Sequence, residues 1–482
     1  MSEVVLVYPK TGLDLKNVFT KLPLSVLALA PFLLVKGFAV KIIDQRINSR
    51  WKEELRESLK RQPVCLGVSV MSGPQITYGL EISKIAKDLA PEIPVVWGGP
   101  HPTILPEQTL ENPLIDIVVT SEGEESFSEL VAALAAQKDL GEVKGIYYKK
   151  NAKAYFTGNR DFLDINTLPN LPYDLVDVNA YILTHVLGKR NLMVVPDRGC
   201  PRRCSFCSVP HFYRNKVRLA TPDKLIGLIK SVKKLGVDII DIGSEDFFSS
   251  KERTADFCNL LIAEKLNVEL RAECRVDFIA QAEEGFLELM KRAGFLALQI
   301  GAESGSDKIL KLLNKGITVD QTLRANERLK AVGIAGLYSF MIGFPGETME
   351  EVSQTVKLAI QLAESNPLAR TYNLQTYKPF PGTDLYATSV KNGFHPPQSL
   401  EEWAGILDIE YAWFAPRERK WLKKLDLFSY FFDEKGIGEF LNSRALKRIL
   451  PPYARLVKYR CRNARYNLLF EYPLLQLAKR YL

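Results

Sequence analysis

The sequence predicts an α/β protein: a doubly wound, Rossmann-like unit over residues 1–150, a second β/α unit over 191–385, and a mainly helical region over 386–482. Three observations carry this. Short β-rich apolar runs alternate with helical stretches twice along the chain, the pattern of a parallel sheet covered by helices. Between the two units, residues 151–190 hold Pro169 and Pro172 in a Leu-Pro-Asn-Leu-Pro-Tyr-Asp run and read as a linker. Beyond residue 385 the segments mix Leu, Tyr and Arg in a helix-like way. A chain of 482 residues, 46% hydrophobic and 25% charged, has room for two or three domains of ~100–200 residues.

In the first unit strands are expected at 4–8, 39–44, 64–71, 95–97 and 115–120, helices at 51–61 and 77–89, and a buried first helix in the apolar stretch 22–35. That stretch is 14 residues, includes Pro23 and Pro31, and is short of the ~20 residues a membrane span needs. No basic segment opens the chain, so it does not read as a signal peptide. A doubly wound sheet binds ligands at the carboxyl ends of its strands. Those ends are Ser69-Val-Met-Ser72-Gly, Gly98-Gly99-Pro-His101-Pro-Thr and Ser121-Glu122-Gly123-Glu-Glu. Ser69, Ser72, Gly98, Gly99, His101, Glu122 and Gly123 are the candidate ligand residues, in turns that let a bulky group approach the backbone. No G-x-G-x-x-G occurs, which argues against a dinucleotide.

In the second unit strands are expected at 192–196, 239–242, 268–272, 297–300, 336–342 and 370–376. The first runs into Arg198-Gly-Cys200-Pro-Arg-Arg-Cys204-Ser-Phe206-Cys207-Ser, a C-x3-C-x2-C triplet. Three thiolates leave one iron of a four-iron cluster open, whereas an electron-transfer cluster is closed by four. An open position can bind a reactant, as in catalytic zinc. A structural zinc site would need a fourth Cys or His, and His211 is the only nearby candidate.

The triplet and its flanks resemble the radical S-adenosylmethionine (SAM) superfamily. The resemblance implies that Cys200, Cys204 and Cys207 ligate a 4Fe-4S cluster, that SAM is cleaved there to a 5′-deoxyadenosyl radical, and that the six units form a partial (β/α)6 TIM-type barrel. Phe206 matches the position whose backbone contacts the SAM adenine, and Gly243-Ser244-Glu245-Asp246 offers carboxylates to the SAM amine. Gly301-Ala-Glu303-Ser304-Gly305 is similar to the G-x-E-S-G element that holds ribose and methionine. Arg275 is a partner for either the SAM carboxylate or Glu303.

The turns of the first unit, with the helix opening at Pro23 and with Ile43-Asp44, resemble the cobalamin-binding domain that precedes many radical SAM domains. Such domains commonly carry Asp-x-His-x-x-Gly after the first strand, whereas this chain has Pro9-Lys-Thr-Gly-Leu-Asp14. Bound cobalt would then lack that histidine ligand, and His101 reads as a pocket or turn residue.

Seven cysteines without a repeating framework point to a reducing compartment and a cytoplasmic setting. No hydrolytic triad is apparent among four histidines. The net charge of +8 is concentrated at the end: from Arg444 onward there are ten Lys or Arg against Glu471 alone. Three readings fit that tail: a basic cap over the barrel mouth, contact with an anionic inner-membrane surface, or nucleic-acid binding, which its apolar density disfavours.

The resemblance as a whole implies a cobalamin-dependent radical SAM methyltransferase, reduced by a donor such as flavodoxin or ferredoxin, that methylates an unactivated carbon of a hydrophobic, lipid or tetrapyrrole-like substrate. Cyclisation, ring contraction or carbon–carbon coupling is the alternative outcome, and a non-catalytic cobalamin or redox sensor the alternative class. A methylthiotransferase would need a second cluster in the first unit, where Cys65 stands alone.

Overall fold

The computed structural model describes residues 2–12, 14, 20–151, 153–184, 189–409, 411–433, 444–469 and 471–473. Five parallel strands build the first sheet: β1 (Glu3–Tyr8), β2 (Ala39–Asp44), β3 (Leu66–Ser69), β4 (Val95–Gly98) and β5 (Ile117–Val119). β1 is a run of four fully buried residues, Val4 to Val7, as a central parallel strand covered on both faces must be. It lies between β2 and β3, so the strand order reverses there and opens a crevice at the carboxyl ends.

The sheet does not stop at residue 150. β6 (Ile146–Lys150) and β7 (Lys153–Phe156) add an antiparallel hairpin to its edge, so the linker's first residues belong to the sheet. The charged ends Lys149-Lys150 and Lys153 hid this strand pair, which alternates only weakly. The expected single apolar helix is two short ones, Leu24–Leu27 and Ala30–Val35. Pro31 has no N–H to give the carbonyl of Leu27, and the ladder breaks there.

All six expected strands of the second unit are present: β9 (Arg190–Val194), β10 (Ile239–Ile242), β11 (Glu269–Cys274), β12 (Phe295–Glu303), β13 (Ala335–Ile342) and β14 (Arg370–Thr376). They run parallel in sequence order, with β8 (Leu183–Thr184) antiparallel at the β9 edge. The sheet curls. Tyr372 of β14 feels the charges of Arg271 and Asp241, on β11 and β10, although β12 and β13 lie between.

The carboxyl-terminal region grips both units. Helix Pro416–Phe428 and the turn after it cover edge strand β14, where Leu374 N–H donates to Ser429 Oγ at 2.8 Å and Asn373 Nδ2 to Asp426 Oδ1 at 2.9 Å. These contacts block strand addition at that edge. Helix Arg444–Arg462 packs on the barrel helix Met349–Ser365 and buries Ala454, Val457 and Cys461. It therefore sits on the barrel's flank, not over its mouth, and residues 479 and 480 lie outside the described residues. Upstream, Phe394, Leu400, Trp403 and Ile406 join the apolar core of the first unit, and Trp403 Nε1 donates to Gln108 Oε1 at 2.7 Å. Among the described residues no helix is long and apolar enough to cross a membrane.

Candidate functional site

A cavity of about 450 Å³ lies where the carboxyl ends of the first sheet meet the opening of the barrel. Ser69, Gly98, Gly99, Glu122 and Gly123 line one side, and Val194, Arg198, Ser208, Val209, Phe212, Tyr213 and Glu245 the other. Gly99 has φ +101, and a Cβ there would stand 2.8 Å from the Val70 carbonyl, so only glycine closes this turn without strain. Two expected residues are elsewhere. Ser72 and His101 are absent from the cavity wall: His101 is fully buried, its Nδ1 shares a 2.8 Å hydrogen bond with Ser72 Oγ, and its ring meets Trp403 edge-on at 5.9 Å. Burial pushes its pKa down to about 4. It is a core histidine that receives the carboxyl-terminal segment. The one-letter pattern Gly-Gly-Pro-His-Pro could not show that residue 403 would arrive against it.

Glu122 lines the cavity but is not free for a ligand. It pairs with Arg198 at 3.1 Å and with Arg218, which also donates to it at 2.9 Å, while Arg198 pairs with Glu124 as well. Phe162 of the linker stacks under Arg218 at 4.5 Å and under Arg214 at 4.1 Å. This arginine clamp holds the two units together beside the cavity, and sequence reading missed it because its partners are 74–96 residues apart.

The cysteine loop runs between Arg198 and Ser208, which line the barrel side of the cavity, while the three cysteines themselves are not part of its wall. It is pinned to the segment after β12: Ser205 N–H donates to the Leu313 carbonyl at 2.9 Å, Ser205 Oγ to Leu312 O at 3.0 Å, and Asn314 Nδ2 to Arg203 O at 2.8 Å. Cys200, Cys204 and Cys207 are free, half-buried thiols in each other's electrostatic field. Arg275 and Lys315 add positive charge beside the loop, but burial outweighs it at two of the thiols: Cys200 is pushed above the ordinary thiol range and Cys207 up to about 11. Among the described residues no group of three His, Cys, Asp or Glu side chains is placed to hold a metal ion, the three cysteines included. A donor set of three thiols on one loop with cations beside it suits a larger cluster.

The remaining expected residues divide. Glu303 sits at a bulge closing β12, with φ +60, and pairs with Lys315 at 2.7 Å. A Cβ on Gly301 would come 2.4 Å from Glu303 Oε1, so that glycine makes room for the ion pair. Of the two partners expected for Arg275, Glu303 is not one it meets: it donates to Asp277 at 2.8 Å and to the Lys315 carbonyl at 2.6 Å. Ser304 is fully buried and shares a 3.1 Å hydrogen bond with Thr355 Oγ1, and a Cβ on Gly305 would be 2.4 Å from the Gln354 carbonyl. Both residues pack the end of the strand against the helix. Phe206 lies against Phe344, ring centroids 6.5 Å apart, under the Lys315 ammonium at 5.9 Å.

After β10 the three polar residues point three ways. Ser244 is buried and donates to Asp197 Oδ2 at 2.8 Å; Asp197 in turn accepts from Ala220 N–H at 2.8 Å and pairs with Arg253 at 2.6 Å. Asp246 is buried near Arg202, 3.5 Å away. Glu245 alone faces the cavity, with a buried Oε2 that has no hydrogen-bond partner among the described residues. Burial, then the charge of Glu273, pushes its pKa up to about 7. An incoming cation or hydrogen-bond donor would satisfy it. Inside the barrel, Arg271 donates to Asp241 at 2.7 Å, with Glu273 and Tyr372 nearby, a polar interior that the strand patterns alone did not announce.

Comparisons with known proteins agree with this geometry. Residues 194–359 match the model of the radical SAM superfamily, and residues 18–131 that of the B12 binding domain. The chain is 32% identical to an uncharacterized methyltransferase of Pyrococcus horikoshii, over 81% of this chain and 83% of that one. It is 30% identical to the anaerobic magnesium-protoporphyrin IX monomethyl ester cyclase of Rubrivivax gelatinosus, over 76% and 65%. Among solved structures the fold is shared with the cobalamin-dependent SAM radical enzyme OxsB (16% identity, 99% of this chain and 75% of that one, TM-score 0.76). It is also shared with the radical SAM methyltransferase TsrM of Kitasatospora setae (17% identity, 96% and 100%, TM-score 0.70).

Proposed function

Since the chain belongs to the cobalamin-binding branch of the radical SAM superfamily, an enzyme family with 4Fe-4S cluster, SAM and cobalamin as cofactors, we propose that it transfers a methyl group to an unactivated carbon. One observation carries the reading: Ser208, Val209, Phe212 and Tyr213, just after the cysteine loop, and Ser69, Gly98, Gly99 and Gly123, at the ends of the first sheet, are walls of one cavity. When bound, the cluster and SAM supply a hydrogen-abstracting radical, and cobalamin a methyl carrier.

The chain's own residues do the rest. Cys200, Cys204 and Cys207 hold the cluster and Arg275 and Lys315 offset its charge. Glu245 receives the SAM amine, the cation its unpartnered oxygen calls for. Gly99 and Gly123 admit the corrin ring against backbone, and the Glu122–Arg198–Arg218 clamp fixes the distance between the two cofactor walls. The apolar remainder of the cavity excludes water from radical intermediates.

The substrate expectation changes. A hydrocarbon entering the barrel would strip water from Asp241, Arg271, Glu273 and Tyr372 without replacing its hydrogen bonds, at a cost of roughly 2–7 kcal/mol per unpaired polar group. The end that enters the barrel therefore carries polar groups, which suits a tetrapyrrole-like acid better than a lipid. Membrane contact through the tail rests on basic charge beside aromatic and aliphatic residues, and two of those cations, Arg462 and Arg460, are already paired with Glu364 and Glu471. Ring closure is a second outcome, favoured by the 30% identity to the cyclase.

The test is anaerobic reconstitution with iron, sulfide and hydroxocobalamin, followed by metal analysis and a SAM-cleavage assay with and without Cys204→Ala. Four irons, one cobalt and cysteine-dependent 5′-deoxyadenosine are expected. A cluster without retained cobalt would sink methyl transfer, and cobalt retention without SAM cleavage would favour the sensor.

A further inference from the structure

We infer that the exposed flank of the cysteine loop is the docking surface for an acidic, one-electron redox protein, at a patch made by Arg203, Lys311 and Leu312. This rests on the proposed function, which requires one electron per SAM cleaved. The loop has two flanks. Ser208, Val209, Phe212 and Tyr213 line the cavity beneath the first unit, whereas Pro201, Arg202 and Arg203 are exposed. A donor protein reaches the cluster most directly from the uncovered side.

That side is shaped for a brief, charge-guided encounter. The three hydrogen bonds that pin the loop to Leu312, Leu313 and Asn314 bring the end of helix Asp307–Leu312 alongside Arg203. Leu312 is 38% exposed, an apolar centre directly behind the Cys204–Ser205 backbone. Arg203 and Lys311 are exposed and have no ion pair among the described residues. Their neighbours are engaged: Arg202 leans inward to Asp246 and Asp277 at 3.5 and 3.6 Å, Lys308 pairs with Glu351 at 2.9 Å, and Asp307 accepts from Val319 N–H at 2.8 Å. Asp384 is the exposed acid at the margin. A small apolar centre with uncommitted cations at its rim is the composition of transient redox encounters, where charge guides approach and little area is buried. In the step itself the reduced partner loses one electron and the cluster gains it, with no bond made or broken.

The experiment uses the full chain with its cluster loaded and two reductants, dithionite and a purified acidic flavodoxin in its reduced form. Cluster bleaching is followed by stopped-flow absorbance for the wild type, the double variant Arg203→Glu/Lys311→Glu and Leu312→Ala. Flavodoxin binding to the same proteins is read by fluorescence anisotropy. The double variant is expected to slow reduction by flavodoxin at least tenfold and to weaken binding, with the dithionite rate and iron content unchanged. Wild-type reduction by flavodoxin falls between 50 and 300 mM salt, as screening of an encounter demands. An unchanged flavodoxin rate in the double variant overturns the surface. A wild-type cluster that dithionite reduces without SAM cleavage overturns the proposed function instead, and the two failures are distinct.

Discussion

Replacing Asp197 by alanine tests how much one buried carboxylate contributes to joining the loops after β9 and β10. Asp197 is almost wholly buried and has three partners: the Arg253 guanidinium, the Ala220 N–H and the Ser244 hydroxyl. Removing one member of a buried ion pair costs about 3–5 kcal/mol, because the other charge stays behind. Here Arg253 keeps two carbonyl acceptors, Ala220 O at 2.7 Å and Phe247 O at 3.0 Å, which lowers that cost, while two orphaned donors raise it. The balance is about 4 kcal/mol for Asp197→Ala. Asp197→Asn keeps acceptors for two of the partners and loses about 2 kcal/mol. At roughly 2–4 °C per kcal/mol for a domain of the barrel's size, the expected drops in midpoint are about 12 and 6 °C. Thermal unfolding of the cofactor-free chain by circular dichroism reads both values. A drop of equal size in the two variants, or none in either, refutes the accounting.

Glu245→Gln removes a pH dependence. The folded-state pKa of about 7 lies above the ordinary carboxylate value, so the folded chain binds more protons between about pH 4.5 and 7 and loses stability as pH rises through that window. The loss is on the order of 3 kcal/mol before solvent leakage is allowed for; denaturant midpoints at pH 5 and 8 should converge in the variant, and an unchanged pH slope would count against the burial of that carboxyl. Gly99→Ala forces a Cβ to 2.8 Å from the Val70 carbonyl at φ +101 and should reduce retained cobalamin at least tenfold by absorbance, with cluster iron intact. Ser304→Ala removes two buried hydrogen bonds, one shared with Thr355 and one accepted from Ser306 N–H, and should cost about 2 kcal/mol while leaving the KM for SAM within twofold; a large KM change would return Ser304 to the ligand site.

What could be read from the sequence was whatever depends on local spacing. The strands recur as short, β-rich apolar runs, the cysteine triplet lies within eight residues, and the glycine turns fall at strand ends, so fold and cofactors were legible. What could not be read depends on distant partners. Ser304 and Gly305 match a ligand-binding pattern yet are taken up by helix Met349–Ser365, because a short side chain at a strand end serves packing as readily as binding. His101 looked like a pocket residue until Trp403, some three hundred positions later, closed over it. Asp197 sits one residue after a proline in an unremarkable loop, and nothing nearby marks Arg253 as its partner. The hairpin beyond residue 150 was lost because edge strands tolerate lysines that a central strand does not.

Trp403 has a consequence for how such a chain is inherited and made. The first unit's core is completed by a side chain from beyond the barrel, so a ribosome must deliver more than 400 residues before that unit reaches its final packing. Until then the pocket around His101 and Gln108 stands open, and the unit is held together by its own strands. An exchange of the first unit between relatives would carry half of this joint and leave the other half behind. The domains are adjacent in the gene but cannot be traded singly; a working hybrid has to bring residues 394–409 along with its new amino-terminal sheet.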